Sequence, residues 1–302
     1  MTWSPRHLPD QTDRRFVITG GNGGLGYFAA EQLAGAGSTV VLATRSAERA
    51  DAAIASIRDR VAGARLERLQ LDLSSLESAR AAGDRIAAFD HVDGLVLNAG
   101  MTSGSREREV TDDGHERIFA TNYLGHFALA AHAWPALERA EGSRVVGLGS
   151  ISTLLVTLDA ADLQTAHQYS FFRAYALSKH AVHGFVFELD RRLRASTSTV
   201  GSLLAHPGFA IDSLSEPRPG IVHGIAAGRA MAFGAQGKNR GAAPIVRALV
   251  DPAARSGEFY GPQFGVKGPP VLTRPVPSSS SPAFGRELWR LSEEWTGEAF
   301  RP

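Results

Sequence analysis

The chain opens with a strand, a glycine-rich turn, a helix and a second strand, and this order limits the folds open to it. The apolar run FVITG leads into the turn GNGGLG, and an alanine-rich helix through Leu33 precedes the second strand, STVVLAT. Two consecutive strands joined through one helix lie parallel, because a crossover of that length returns the chain in the same direction. The opening therefore predicts a βαβ unit.

The alternation of strand and helix continues along the chain. Helices are predicted over about 47–62, 75–88, 113–139 and 171–195, with strands at LERLQLDL, GLVLNAG, SRVVGLGS and TVGSLLAHPG. A helix at PIVRALVD, a strand at GEFYGP and a terminal amphipathic helix follow. Helices between short apolar strands predict an α/β protein with a doubly wound parallel sheet, which is a three-layer α/β/α Rossmann fold.

A length of 302 residues fits one large α/β domain. We expect a single domain over 1–302, in which 14–210 form the dinucleotide-binding core and 275–302 form a C-terminal extension. The segment 211–243 is rich in Gly, Pro and Ala, and loops of such length in a compact domain are commonly functional. We interpret it as a substrate flap.

Composition excludes several classes of protein. The net charge is +1 and arginines are interleaved with acidic residues, so no basic surface for nucleic acid is expected. The absence of cysteine excludes disulfides, thiolate nucleophiles and cysteine-based metal sites. No apolar run of about 18 residues occurs, and the N-terminus lacks an apolar signal segment. We therefore expect a soluble cytoplasmic protein with no membrane partner.

The glycine turn has the pattern of a diphosphate-binding loop. Gly20, Gly24 and Gly26 allow a backbone to approach a diphosphate, whose charge is stabilised by N–H groups at the helix N-terminus. A tight strand-to-helix turn needs glycine even without a ligand. Its place between an apolar strand and a helix favours the dinucleotide interpretation.

The residues after the second strand indicate which dinucleotide binds. NAD sites normally place a carboxylate there for the ribose 2′-hydroxyl, whereas an arginine can bind a 2′-phosphate. This chain has Thr44, Arg45 and Ser46 at that point. We therefore predict NADP(H), with the alternative that Arg45 only lies in solvent at a helix N-terminus.

A tyrosine and a lysine stand at helical spacing in the segment YALSK. Tyr175 and Lys179 are four residues apart, so both lie on the same face of the predicted helix. With five tyrosines and three lysines in the chain, about 0.05 such pairs are expected by chance. An ammonium group beside a phenol favours the phenolate, which predicts a lowered pKa for Tyr175 and a role in proton transfer.

Taken together, these motifs resemble the short-chain dehydrogenase/reductase superfamily, in its single-domain branch, over about 14–262. Beyond the glycine turn and YALSK, the resemblance rests on LDLSS, NAG, the asparagine of DGHERIFATNYLGHF, and HPG. It implies a homodimer or homotetramer and a nicotinamide cofactor. The cofactor contacts that it implies are Gly20, Asn22, Gly24, Leu25, Gly26, Thr44, Arg45, Asp72, Leu73, Asn98, Ala99, Gly100, Tyr175, Lys179, Pro207 and Gly208.

The resemblance implies four catalytic residues. Tyr175 donates the proton, Lys179 binds the nicotinamide ribose and tunes Tyr175, and Asn122 orders a water that leads to Lys179. A serine after the fifth strand polarises the substrate carbonyl, and this is Ser150, with Ser152 as the alternative. In the reducing direction hydride passes from NADPH to the carbonyl carbon.

Two departures from the family pattern stand out. The interval from Ser150 to Tyr175 is 25 residues, longer than usual, and similar insertions occur in retinol-dehydrogenase-like and protochlorophyllide-reductase-like members. That insertion is expected to border the substrate mouth. In PGFAIDS, Asp212 stands where the family often has a threonine that contacts the nicotinamide amide.

We expect an NADP(H)-dependent oxidoreductase acting on a bulky apolar carbonyl or alcohol, with a polyketide-like or other secondary metabolite as a candidate substrate. The alternatives are a redox-neutral epimerase or cyclase on the same site, and a catalytically silent NADP(H)-binding protein. No metal site is expected from His180 and His183, because no third ligand is evident. GLGS does not match the nucleophile motif of hydrolases.

Aromatic residues supply two further expectations. Phe171, Phe172 and Phe209 are expected to line an apolar substrate pocket. In the tail, a helical stripe is expected to pack on the parent domain, with subunit contact or pocket cover as alternatives. The stripe consists of Phe284, Leu288, Leu291 and Trp295.

Overall fold

The computed structural model describes residues 3–5, 7–221 and 234–302. Within these residues, eight strands form one sheet in the order β10-β9-β6-β5-β4-β1-β2-β3, in which only β10 is antiparallel to its neighbour. The strands are β1 Arg15–Thr19, β2 Thr39–Thr44, β3 Arg65–Gln70, β4 Gly94–Leu97, β5 Arg144–Leu148, β6 Gly201–Ala205, β9 Phe259–Pro262 and β10 Pro270–Leu272. The predicted doubly wound fold is confirmed.

Helices connect these strands. They are α1 Gly24–Gly35, α2 Ala47–Arg58, α3 Leu76–Ala87, α4 Arg117–Phe119, α5 Gly125–Glu138, α6 Phe171–Arg194, α7 Lys238–Gly241, α8 Ala243–Val250 and α9 Pro282–Thr296. Serine side chains cap several of the longer helices: the hydroxyl of Ser170 accepts from the backbone N–H of Arg173 at the start of α6, and Ser281 does so at α9. Such caps bond backbone donors that have no partner within the helix.

Alternate residues of each strand pack into two separate apolar layers. In β1, Val17 belongs to the layer formed with α3, α5, α6 and α9, whereas Phe16 and Ile18 belong to the layer formed with α1, α2 and α8. This follows from the period of two in a strand. The connections reverse direction between β1 and β4, which opens a crevice beyond the carboxyl ends of these two strands.

Several predicted boundaries shift. The single helix expected over 113–139 is divided into α4, a π-helical turn at Ala120–Leu124, and α5. Both carboxylate oxygens of Glu116 cap the start of α4 by accepting from backbone N–H groups. The edge strand β10 was not predicted, because it is three residues long and begins at the second of two consecutive prolines. The helix expected over 47–62 ends at Arg58.

The predicted flap, 211–243, is described in part, since 222–233 lie outside the described residues. Its two ends meet in a short parallel pair, β7 Ala210–Ile211 with β8 Gln236–Gly237. A 3-10 turn at Asp212–Leu214 follows β7, and α7 follows β8 directly. This pairing brings both ends of the flap to the crevice.

Candidate active site

A cavity of about 1490 Å³ occupies the crevice at the carboxyl ends of the strands. Nearly all predicted site residues line it, and the two exceptions are Gly26 and Asn122. The predicted residues in its wall are Gly20, Asn22, Gly24, Leu25, Thr44, Arg45, Asp72, Leu73, Asn98, Ala99, Gly100, Ser150, Tyr175, Lys179, Pro207 and Gly208. One surface therefore brings together residues that are nearly 190 positions apart in the sequence.

The glycine turn is shaped by left-handed backbone and close packing. Gly20 and Gly24 have φ values of +67° and +55°, a region that side chains with a β-carbon rarely adopt. A β-carbon on Gly26 would lie 2.5 Å from the Gly20 carbonyl oxygen and 2.6 Å from Asn98 Nδ2. Gly26 thus permits the close packing of turn and strand, while Gly20 and Gly24 face the cavity.

Hydrogen bonds fasten the ends of β1 and β4 to each other. The buried Thr19 hydroxyl accepts from the backbone N–H groups of Asn98 and Ala99, both at 2.9 Å. Asn98 Nδ2 donates to the Thr19 carbonyl oxygen at 2.7 Å. The motif NAG therefore holds the glycine turn in position as well as lining the cavity.

Two guanidinium groups lie where the second strand ends. Arg45 is exposed and lines the cavity together with Arg49, one turn further along the chain. Ser46 caps α2 by accepting from the Arg49 backbone N–H, so capping this helix does not require Arg45. Glu48 also lines this region. Arg49 was not predicted from the sequence as a residue of the cavity, although its spacing of four from Arg45 was a usable signal.

Asp72 is held by a local turn. Its Oδ1 accepts from the backbone N–H of Ser74 at 3.0 Å and from the Ser74 hydroxyl at 2.6 Å. The carboxylate borders the same end of the cavity as Arg45.

Tyr175 and Ser150 both line the cavity. Burial raises the pKa of Tyr175 above its usual value, and the nearby Ser150 hydroxyl lowers that pKa by a smaller amount. The expected lowering of the Tyr175 pKa is therefore not found. Ser150 comes from the turn after β5, where its hydroxyl also accepts from the Ser152 backbone N–H at 3.1 Å.

Lys179 lies one helical turn after Tyr175 and is buried. Its Nζ is 5.8 Å from the centre of the Tyr175 ring and donates to the Leu148 carbonyl oxygen at 2.7 Å. Burial lowers the pKa of Lys179 to about 8. Its ammonium group is thus directed towards the end of β5 rather than at the phenol oxygen.

The two candidate serines differ in their surroundings. Ser152 also lines the cavity, but its hydroxyl oxygen is buried and makes no hydrogen bond within the described residues. Of the two serines, only Ser150 acts on the pKa of Tyr175. Its position near the phenol favours Ser150 over Ser152 as the serine partner of Tyr175.

Asn122 lies in the π-helical turn and is buried behind the cavity. Its side chain accepts from the Met101 backbone N–H at 2.7 Å and donates to the Ser178 hydroxyl at 3.0 Å. Its backbone carbonyl oxygen is 3.1 Å from His126 Nδ1. The amide therefore ties the loop after β4 to the helix that carries Tyr175 and Lys179.

Apolar side chains surround the phenol end of the cavity. Phe171, Phe172 and Phe209 all line it, and the Phe171 ring lies nearly parallel to that of Tyr175 at 6.2 Å. Leu155, from the insertion between Ser150 and Tyr175, adds a side chain in a residue that is 72% exposed. The insertion thus borders the cavity mouth.

One ion pair at the cavity has no counterpart among the predicted site residues. Lys238 Nζ lies 2.7 Å from Asp212 Oδ2, and both side chains line the cavity. The two residues are 26 positions apart, in segments with no regular pattern. No local sequence signal pairs them.

The histidines on α6 have structural neighbours. His180 Nδ1 is 2.6 Å from the Ser279 hydroxyl, and its Nε2 is 2.8 Å from the Val156 carbonyl oxygen. His183 is buried beside Phe259.

In the described part of the chain, no helix is both long and apolar enough to cross a bilayer.

Comparison with known proteins shows a consistent relationship. The family model for short chain dehydrogenases matches residues 14–210. The chain is 40% identical over 211 residues to the polyprenol dehydrogenase of Mus musculus, covering 68% of this chain and 62% of the relative. It is 36% identical over 196 residues to retinol dehydrogenase 13 of Homo sapiens, covering 64% and 58%. The matches thus span about six-tenths of the length of these curated relatives.

A solved structure matches over nearly the whole chain. It is an uncharacterized protein from Mycobacterium paratuberculosis, 31% identical, with a TM-score of 0.81 and 99% of each chain covered. The shared architecture therefore extends beyond the segment matched by the family model.

Proposed function

The chain belongs to the short-chain dehydrogenase family, in its retinol-dehydrogenase-like subgroup, and we propose that it is an NADP(H)-dependent oxidoreductase acting on a bulky, largely apolar carbonyl or alcohol. One observation carries the proposal. Ser150, Tyr175 and Lys179 meet at the wall of a cavity that continues to the glycine turn. Proton-transfer groups and a cradle for a diphosphate therefore share one space.

The residues at the glycine turn fit a nicotinamide dinucleotide. The position that a β-carbon on Gly23 would occupy has no heavy atom within 4 Å among the described residues, so the turn is open to a ligand. Gly23, Gly24 and Leu25, at the start of α1, line the cavity, and the first turn of a helix has N–H groups without partners inside the helix that can bind an anion. Arg45 and Arg49 lie at the other end and supply positive charge for a 2′-phosphate.

In the proposed reaction the chain's own groups handle the substrate oxygen and the proton. Ser150 donates a hydrogen bond to the carbonyl oxygen, and Tyr175 donates the proton that this oxygen gains. Bound nicotinamide supplies the hydride. Lys179 holds positive charge beside Tyr175 and binds the ribose, while Asn122 positions the loop and helix around them. Reversing the proton transfer, with Tyr175 as the base, serves alcohol oxidation.

The substrate class follows from the aromatic end of the cavity. Phe171, Phe172, Phe209 and Leu155 offer an apolar surface next to Tyr175. Two relatives are named for polyprenol and retinol, both apolar alcohols. The proposal includes a secondary metabolite of this class, because an apolar lining favours bulky apolar compounds in general. We also propose the homodimer or homotetramer that the family resemblance implies.

The direct test follows absorbance of reduced nicotinamide with NADPH and a panel of apolar ketones, aldehydes and quinones. The wild-type protein is expected to oxidise NADPH with at least one of them. In Tyr175→Phe, turnover is expected to fall by about 100-fold or more, because proton transfer is lost, while NADPH affinity is retained.

Turnover that survives in Tyr175→Phe would rule out this proton donor. Tight NADPH binding without oxidation by any substrate would instead favour a redox-neutral epimerase or cyclase, or a silent NADP(H)-binding protein.

The choice of NADP(H) is tested through Arg45. In Arg45→Ala, NADPH affinity is expected to fall roughly tenfold while NADH affinity is unchanged, because only NADPH carries the 2′-phosphate. Arg68→Ala is the matched control, since Arg68 is exposed, paired with Asp51 and outside the cavity wall. An unchanged ratio of the two affinities in Arg45→Ala would contradict the assignment.

A further inference from the structure

The ion pair between Asp212 and Lys238 lies in the cavity wall beside the glycine turn. Lys238 Nζ and Asp212 Oδ2 are 2.7 Å apart, and the side chains are 25% exposed for Lys238 and 16% exposed for Asp212. Asp212 follows β7, and Lys238 begins α7. The pair therefore lies at the cavity wall without being sealed inside the protein.

Hydrogen bonds between the two segments position the backbones of Asp212 and Lys238. The Lys238 backbone N–H donates to the Ser215 hydroxyl at 2.8 Å, and the Ser215 backbone N–H donates to the Asp212 carbonyl oxygen at 2.9 Å. Pairing of β7 with β8 adds a second link between the segments. The location of the ammonium group is thus set by two joined segments.

The lysine points at the glycine turn. The position of a β-carbon on Gly24 would lie 3.4 Å from Lys238 Nζ. Gly24 is the first residue of α1 and has φ of +55°. The ammonium group therefore lies on the turn whose backbone N–H groups face the cavity, where a diphosphate would gain from additional positive charge.

We propose that Lys238 is a ligand of the dinucleotide diphosphate and that Asp212 is the counter-ion of Lys238 in the protein without ligand. This inference rests on the proposed function, because it requires a dinucleotide in the cavity. It also accounts for the departure at Asp212. A carboxylate alone would repel the diphosphate, whereas the adjacent ammonium group neutralises it and supplies a donor.

The contrasting explanation is purely structural, with the pair serving only to join the two segments. It makes different predictions for binding. If the pair is only a link, removing either partner has the same effect, and removing both adds nothing further. If Lys238 binds the diphosphate, the two partners act in opposite directions, because one attracts the ligand and the other repels it.

The experiment measures dissociation constants for NADPH by fluorescence titration. The variants are Lys238→Met, Asp212→Asn, the double variant and Lys238→Arg, with Lys267→Met as a matched lysine control outside the cavity wall. Two fragments extend the test: 2′-phospho-ADP-ribose contains the diphosphate, and adenosine 2′-monophosphate lacks it. Far-UV circular dichroism and thermal unfolding check that each variant is folded.

Lys238→Met is expected to weaken NADPH and 2′-phospho-ADP-ribose roughly tenfold or more, with no change for adenosine 2′-monophosphate. Asp212→Asn is expected to bind NADPH at least as tightly as the wild type. The double variant is expected to bind more tightly than Lys238→Met, because it no longer leaves an uncompensated carboxylate. Lys238→Arg keeps the charge and is expected to retain most of the affinity.

Equal losses in Lys238→Met and Asp212→Asn, with no recovery in the double variant, would overturn the inference in favour of a structural link. Unchanged NADPH affinity in folded Lys238→Met would also overturn it, and wild-type binding would then leave the proposed cofactor site standing. Failure of the wild-type protein to bind any nicotinamide dinucleotide would overturn both proposals.

Discussion

Lys179 combines a proposed catalytic role with a cost to stability. Burial lowers its pKa from 10.5 to about 8, so the folded protein binds fewer protons than the unfolded chain between these values. The free energy of unfolding contributed by this group therefore rises as pH increases from about 8 to about 10.5. Below about pH 8 the buried lysine destabilises the fold by up to about 3 kcal/mol.

Lys179→Met is expected to abolish this pH dependence. Relative to the wild type, the variant should have its largest stability advantage below about pH 8 and lose that advantage as pH rises towards about 10.5. Urea unfolding at several pH values measures the difference, with Lys267→Met as the control lysine. A stability difference that stays constant over this range would contradict a depressed Lys179 pKa in the folded protein.

The sequence predicted the placement of the site residues better than it predicted their surroundings. The spacing of Tyr175 and Lys179 placed both on one face of a helix, because that relation is local. The direction of the Tyr175 pKa shift was predicted wrongly, since burial raises the Tyr175 pKa more than the Ser150 hydroxyl lowers it. Likewise, the choice between Ser150 and Ser152 depends on which hydroxyl meets the phenol, and spacing alone left both open.

At the scale of elements, α9 was correctly predicted as a helix, but the predicted set of its buried residues was incomplete. The predicted stripe included Leu291, and the structure adds Trp289 as a fully buried residue. Trp289 stacks on Phe185 and Phe300, and the Arg192 guanidinium lies 4.1 Å from the centre of its ring. The face is wider than the stripe because α9 packs against more than one neighbour.

Trp289→Ala is expected to destabilise the protein by roughly 3–5 kcal/mol, because it leaves a cavity among aromatic rings. Arg290→Ala, on the exposed face of the same helix, is the control and is expected to change stability by no more than about 0.5 kcal/mol. Chemical denaturation measures both. Equal effects of the two substitutions would show that α9 is not part of the cooperatively folded core.

Other elements were missed for physical reasons. β10 forms only because a turn brings it back beside β9, and its short sequence has no alternating pattern. The π-helical turn at Ala120–Leu124 contains Asn122, whose side chain bonds to the loop after β4 and to α6. Both involve contacts between segments rather than local periodicity.

For the molecule as a whole, the order of strands and helices and the family were predictable. Apolar periodicity, the glycine turn and the order of motifs are properties of the chain itself, and the sheet and the match over residues 14–210 confirm what they predicted. These features are local, or depend only on order along the sequence. They required no knowledge of which distant residues come into contact.

What the sequence by itself determined was the Rossmann architecture and a set of candidate groups for binding and proton transfer. Only the tertiary structure decided how those groups are used: that Ser150 meets Tyr175, that Lys179 is buried, and that Lys238 lies against Gly24 beside Asp212. The physical reason is that burial and charge pairing depend on distances through space. Those distances are set when segments far apart in sequence pack together.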